Sequence, residues 1–107
     1  MKYWSVIFSK LPAQAMALYP FMLFKTKSIK YNEAIIRHEK IHFKQQLELL
    51  ILPFYVLYLL HYFVNLIKYQ NRSKAYFNIC FEKEAYANDL DPDYLKNRKP
   101  YTWLRNS

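Results

Sequence analysis

Two histidines four residues apart, with a glutamate directly after the first, form the segment His38-Glu39-Lys40-Ile41-His42. On a helix, positions 38 and 42 lie on one face a single turn apart, so both imidazoles can reach one metal ion. Glu39 is displaced by about 100° around the same helix, which lets its carboxylate reach a water at that ion without ligating it. The chemistry this arrangement suits is metal-assisted hydrolysis, with His38 and His42 holding Zn2+ and Glu39 as acid/base. Two histidines do not complete such a site, because a catalytic zinc takes three protein ligands and leaves another position open. His61 is one candidate for the third place, and a downstream run, Phe81-Glu82-Lys83-Glu84-Ala85-Tyr86-Ala87-Asn88, offers two carboxylates. If Phe81, Ala85 and Asn88 mark its inward surface, Glu84 stands beside them and Glu82 points about 200° away from Glu84. Glu84 is therefore the expected third ligand and Glu82 the alternative.

The surrounding sequence must supply the helices. Asn32 is a candidate N-cap, Tyr31 and Ile36 can staple around it, and Ile36, Phe43, Leu47 and Leu50 recur at helical spacing, which predicts a helix from about Glu33 to Leu52. Pro53 either kinks that helix or opens the next, which should run to about Tyr69. A third helix is expected over Ser73 to Ala87, and Asp91-Pro92 opens a short turn through Tyr94 and Leu95. Before the motif, Tyr3 to Phe8 and Phe21 to Lys25 read as short strands, with Pro20 making the second an edge strand and Ala13 to Ala17 forming a helical turn between them. The chain has no glycine. Asn71, Asn88 and Asn97 are the residues expected at left-handed helix ends.

With 107 residues, 53% of them hydrophobic, the chain suits a single domain spanning 1–107 with one core. The expected class is α+β: mostly helical, with a short N-terminal β-sheet or hairpin. Its lone cysteine, Cys80, excludes an intramolecular disulfide and reads as a small buried hydrophobe. The net charge of +8 is scattered without a nucleic-acid motif, so no nucleic-acid partner is expected. The apolar stretch near the start is too short for a secretory signal, and a cytoplasmic protein is expected. Between Leu49 and Ile67 no side chain is charged, which is close to the length that spans a bilayer. Pro53 and a polar seam of Tyr58, His61, Asn65 and Lys68 oppose insertion and favour a buried or surface-lying amphipathic helix, compatible with peripheral membrane contact.

The pairing of His38-Glu39-Lys40-Ile41-His42 with a downstream helical glutamate resembles the gluzincin metallopeptidases. Glu84-Ala85-Tyr86-Ala87-Asn88 is similar to the glutamate-x-x-alanine-aspartate signature of the integral-membrane CAAX-processing group, and the short chain with Gln45-Gln46-Leu47-Glu48 after the motif resembles the minigluzincins, their small soluble relatives. The likeness covers roughly residues 17–88. It implies a zinc-dependent endopeptidase acting on peptide or protein substrates, with Glu84 as third zinc ligand and an edge strand before the motif helix to pair with substrate. The chain departs from the signature at Asn88, where the family has an aspartate that orients a zinc-bound histidine, and Asp89 is the nearest substitute. Tyr86, Tyr94, Tyr101 and Arg98 are the candidate oxyanion donors. Latency in the minigluzincins suggests a zymogen-like tail, with Tyr101 and Trp103 across the cleft. The alternative to an enzyme is a non-catalytic basic module that binds a membrane surface or a protein partner, with a structural metal or none.

Overall fold

In a computed structural model that describes residues 2–106, the apolar segments at the start of the chain pair into one three-stranded sheet. Strands β1 (Trp4–Ile7), β2 (Ala15–Leu18) and β3 (Phe21–Phe24) are ordered β1-β3-β2. β3 runs parallel to β1, with Trp4 opposite Phe21, and antiparallel to β2, with Ala15 opposite Phe24. Two expectations change here. Phe21 to Phe24 is the central strand, because Pro20 lies just outside it and costs no ladder donor; its carbonyl accepts from the Trp4 N–H at 3.0 Å. The edge strand belongs to Ala15–Leu18, where a helical turn was expected. Alanines there favour a helix locally, but pairing with β3 and side chains arriving from two helices hold the segment extended.

Helix α1 (Glu33–Leu49) begins where the sequence indicates, with the Asn32 side chain accepting from the Ile35 N–H at 3.1 Å. Phe43 of α1 packs into Met22, Phe24 and Ala17, joining helix to sheet. Leu50, at φ 59°, turns the chain sharply into α2 (Ile51–Tyr69), and Pro53 falls in that helix's first turn, where its missing N–H has no partner to lose. The expected third helix is divided. α3 (Arg72–Phe77) and α4 (Cys80–Asn88) are separated at Asn78-Ile79, and α5 (Tyr94–Asn97) follows. The left-handed positions fall on Leu50, Gln70 and Tyr101 rather than on the asparagines, because Asn71 is used to cap α3, accepting from the Lys74 N–H. The second cluster of the core joins Phe54 of α2, Phe81 of α4 and Trp103 of the tail. α1 thus lies between the sheet on one side and α2 and α4 on the other, which gives an α+β domain with the motif at its centre.

Candidate metal centre

Seven residues of α1 are buried, among them His38, Glu39 and His42. The helix sets the two imidazoles a turn apart, with ring centroids 4.9 Å from each other. Opposite them, the first turn of α4 carries Glu82. One carboxylate oxygen, Oε1, lies 3.0 Å from His38 Nε2 and 3.0 Å from His42 Nε2, while Oε2 accepts from the Tyr58 hydroxyl at 2.6 Å. Ligand atoms of His38, His42 and Glu82 all fall within 4.8 Å of one another.

The remaining ring nitrogens decide what such a cluster can hold. His38 Nδ1 is 2.9 Å from Asp89 Oδ2, and His42 Nδ1 is 2.8 Å from Gln45 Oε1. Each Nδ1 faces an acceptor and so carries the hydrogen, which leaves the Nε2 lone pair of each neutral ring aimed at the common point. Hydrogen bonding alone would need both rings doubly protonated around one carboxylate, two buried cations in contact. A divalent cation among two Nε2 atoms and one carboxylate oxygen removes that conflict, and a donor set of two nitrogens and one oxygen suits zinc. The electrostatics of the metal-free cluster follow from the same contacts. Burial pushes the Glu82 carboxyl up, but the His42 and His38 imidazoles overcome it and hold Glu82 well below the usual carboxylate range. Burial likewise pushes His42 down, yet the Glu82 charge raises it to about 9. Burial raises the Glu39 carboxyl, against the pull of the two histidines.

Two clefts meet at Glu39. One, of about 290 Å³, is lined by Ala15, Ala17, Glu39, His42, Tyr55 and Glu82 among others. The second, of about 250 Å³, includes Ala15, Ile35, His38, Glu39, Tyr86 and Asp89. Ala15 and Glu39 line both, so the two clefts adjoin past the histidines with β2 as a shared wall, and together they are called the groove. The Lys25 N–H donates to the Gln14 carbonyl, so the antiparallel alternation turns the backbone of Ala15 and Ala17 away from β3. Gln46 and Tyr55 both donate to the Ala17 carbonyl, and Gln46 accepts from the Tyr19 N–H. The outward N–H and C=O of Ala15 face the groove.

Glu84, the expected third ligand, is placed elsewhere. Its fully buried carboxylate accepts from Arg98 Nε at 2.5 Å, the Tyr94 hydroxyl at 2.7 Å and Gln45 Nε2 at 2.9 Å. α4 is buried on two sides, against α1 and against the tail, so both glutamates point inward; Glu82 meets the histidines and Glu84 meets Arg98. Asn88 turns back to its own helix, its amide donating to the Glu84 carbonyl, and Asp89 takes the orienting place. His61 accepts from the Cys80 N–H and caps α4 rather than joining the cluster. Of the candidate oxyanion donors, Tyr94 and Arg98 are held by Glu84 and the Tyr101 N–H by Glu48; Tyr86 stacks edgewise on His38 with centroids 4.4 Å apart. Among the described residues no tail side chain lines either cleft, since Trp103 is buried against Phe81 and donates to Glu48. Gln45 and Tyr58, which in sequence stand only in the run after the motif and in the polar seam, join the cluster here. The spacing of Glu82 and Asp89, seven residues or two helical turns, is the signal that would have paired them on one face.

Asp89 gives a test of the outer contacts. Asp89→Asn should weaken zinc binding by about 10–100-fold, measured by competition with a chelator, because the amide accepts the His38 Nδ1–H less strongly. No family model, curated protein or solved structure matches the chain.

Proposed function

We propose that the protein is a zinc-dependent peptide hydrolase in which His38, His42 and Glu82 hold the ion and Glu39 is the acid/base. The observation that carries this is the convergence of two Nε2 atoms and one carboxylate oxygen on a single point, beside a buried glutamate and at the wall of a groove. A zinc ion in such a donor set supplies Lewis acidity to a bound carbonyl and to water. Asp89 and Gln45 fix the tautomers of the two imidazoles, and Tyr58 fixes the Glu82 carboxylate. The outward backbone of Ala15 offers one donor and one acceptor to an extended peptide, which would lie antiparallel or parallel to β2 as an added strand. Glu39, its carboxyl raised by burial, takes a proton from the attacking water and returns it to the leaving amine. Tyr86, whose ring lies against His38 and whose hydroxyl is 2.9 Å from that of Tyr76, would be the donor to the developing oxyanion.

Glu39→Gln separates binding from chemistry. The variant should retain its zinc while cleavage of an unstructured protein substrate falls by about 10²–10⁴-fold. Equal cleavage by variant and wild type would remove Glu39 from the mechanism.

A further inference from the structure

We infer that the outward face of α2 docks on an anionic lipid surface, with the helix lying along the plane of the bilayer. Apart from Phe54 in the core, the inward side of α2 carries polar side chains and the outward side its exposed apolar ones. Inward, the Tyr58 hydroxyl donates to Glu82, His61 accepts from the Cys80 N–H, and Asn65 donates to the Ala75 carbonyl at 3.1 Å. Three of the four residues of the polar seam that in sequence opposed insertion, Tyr58, His61 and Asn65, are thus taken up by α3 and α4, and Lys68 stays exposed. Outward, apolar side chains from Leu52 through Val56, Leu60 and Phe63 to Ile67 are each more than half exposed. At about 100° per residue, the exposed apolar positions cover an unbroken arc of about 160° of the helix. The helix has 19 residues, is long and apolar enough to cross a membrane by length and composition, and is little covered by the rest of the protein. A patch of this extent on a soluble surface marks a docking site.

Charge and shape select the occupant. From Leu49 to Phe81 there is no acidic residue, while Lys68, Arg72 and Lys74 follow the apolar face at its C-terminal end. Lys68 borders the arc on one margin, where its ammonium can reach lipid headgroups. A second copy pairing helix to helix covers a narrower stripe than this convex arc, and would bring two clusters uncompensated by acid into one assembly. Fluid acyl chains cover a broad arc without shape complementarity. The helix lies flat rather than across the bilayer because its inner face is occupied by α3 and α4. Leu59, at the edge of the arc, also lines the groove, so docking sets the groove's rim at the lipid boundary.

The test is flotation of the full chain with phosphatidylcholine vesicles and with vesicles that also contain phosphatidylglycerol, for the wild type and for a variant carrying Leu60→Glu and Phe63→Glu. Both positions are outward, so circular dichroism and zinc content should be unchanged in the variant. The wild type should float with anionic vesicles about tenfold more than with neutral ones, and the variant should lose about tenfold of that binding. Equal flotation of variant and wild type, or no preference for anionic lipid, overturns the inference. So does a wild type that ignores vesicles and sediments as a dimer that the variant dissociates, which would assign the face to a second copy. The result is independent of peptide hydrolysis, since neither substitution touches the metal cluster.

Discussion

Glu82→Gln should strip the protein of zinc, while Glu84→Gln, two residues away on the same helix, should leave zinc binding nearly intact. Removing a group that only orients a ligand costs about 10–100-fold in affinity, so replacing the ligand itself should cost more than about 100-fold. Glu82 Oε1 is 3.0 Å from both Nε2 atoms, and no other carboxylate among the described residues shares that point with the histidines. Glu84 faces the opposite way, onto Arg98, and its substitution should appear as lost stability of about 1–3 kcal/mol rather than lost metal. Parallel zinc titration and urea unfolding of the two variants separate the effects. If Glu84→Gln loses zinc and Glu82→Gln keeps it, the assignment of the third ligand is reversed.

The largest stability effect is expected at Arg98. Its guanidinium, side chain 4% exposed, bridges Glu84 on α4 and Glu48 on α1, with bonds of 2.8 and 2.9 Å to the two Glu48 oxygens. Glu48 also accepts from the Tyr101 N–H and from the Trp103 indole, so one carboxylate ties the tail to the end of α1. Arg98→Ala leaves the fully buried Glu84 charge without its cation and should destabilise the fold by about 3–5 kcal/mol, a large part of the roughly 5–15 kcal/mol typical of a domain. Combining Arg98→Met with Glu84→Leu should recover part of the loss, because the buried Glu84 charge goes with its cation while Glu48 still lacks Arg98. The pH dependence has a definite sign. Burial pushes the Glu48 carboxyl up, but Arg98, the Tyr101 N–H and the Trp103 indole outweigh it, so the carboxyl lies below its ordinary value. A lowered folded pKa contributes stability that is present above about pH 4.3, the unfolded value, and is lost as pH falls through the folded one. Acid unfolding of the wild type should therefore show this component, and Arg98→Ala should show a smaller one, because the Tyr101 N–H and the Trp103 indole still donate to Glu48.

The parts of this molecule that were legible in sequence are those where a local rule acts alone. Asn32 caps the motif helix, Pro53 marks the change of helix as one of its two expected roles and lies in the first turn of the next, and His38 and His42 share a face because helical periodicity allows nothing else. That Glu82 rather than Glu84 meets the histidines was not legible for a physical reason. Choosing between Glu82 and Glu84 from neighbouring apolar residues assumes that a helix has one inward face, and α4 has two, one against the histidines and one against Arg98 and the tail. β2 was obscured by its alanines, which carry no strand signal; Gln46 and Tyr55, far along the chain, hold it at the Ala17 carbonyl. In α2 the polar seam was visible, but whether it faced water or protein depended on α3 and α4, which supply partners for His61 and Asn65. Asn71 was expected at a helix end and stands at one, but as a cap for α3, so the left-handed conformation moved to Gln70.

Metal content of the purified wild-type chain, measured beside His42→Ala, tests the central claim most directly. The account predicts one zinc per chain in the wild type and none in the variant, with both folded by circular dichroism. A folded wild type that takes up no zinc when titrated with it would contradict the account, and would leave His38, His42 and Glu82 as a buried ion-paired network with no hydrolytic role.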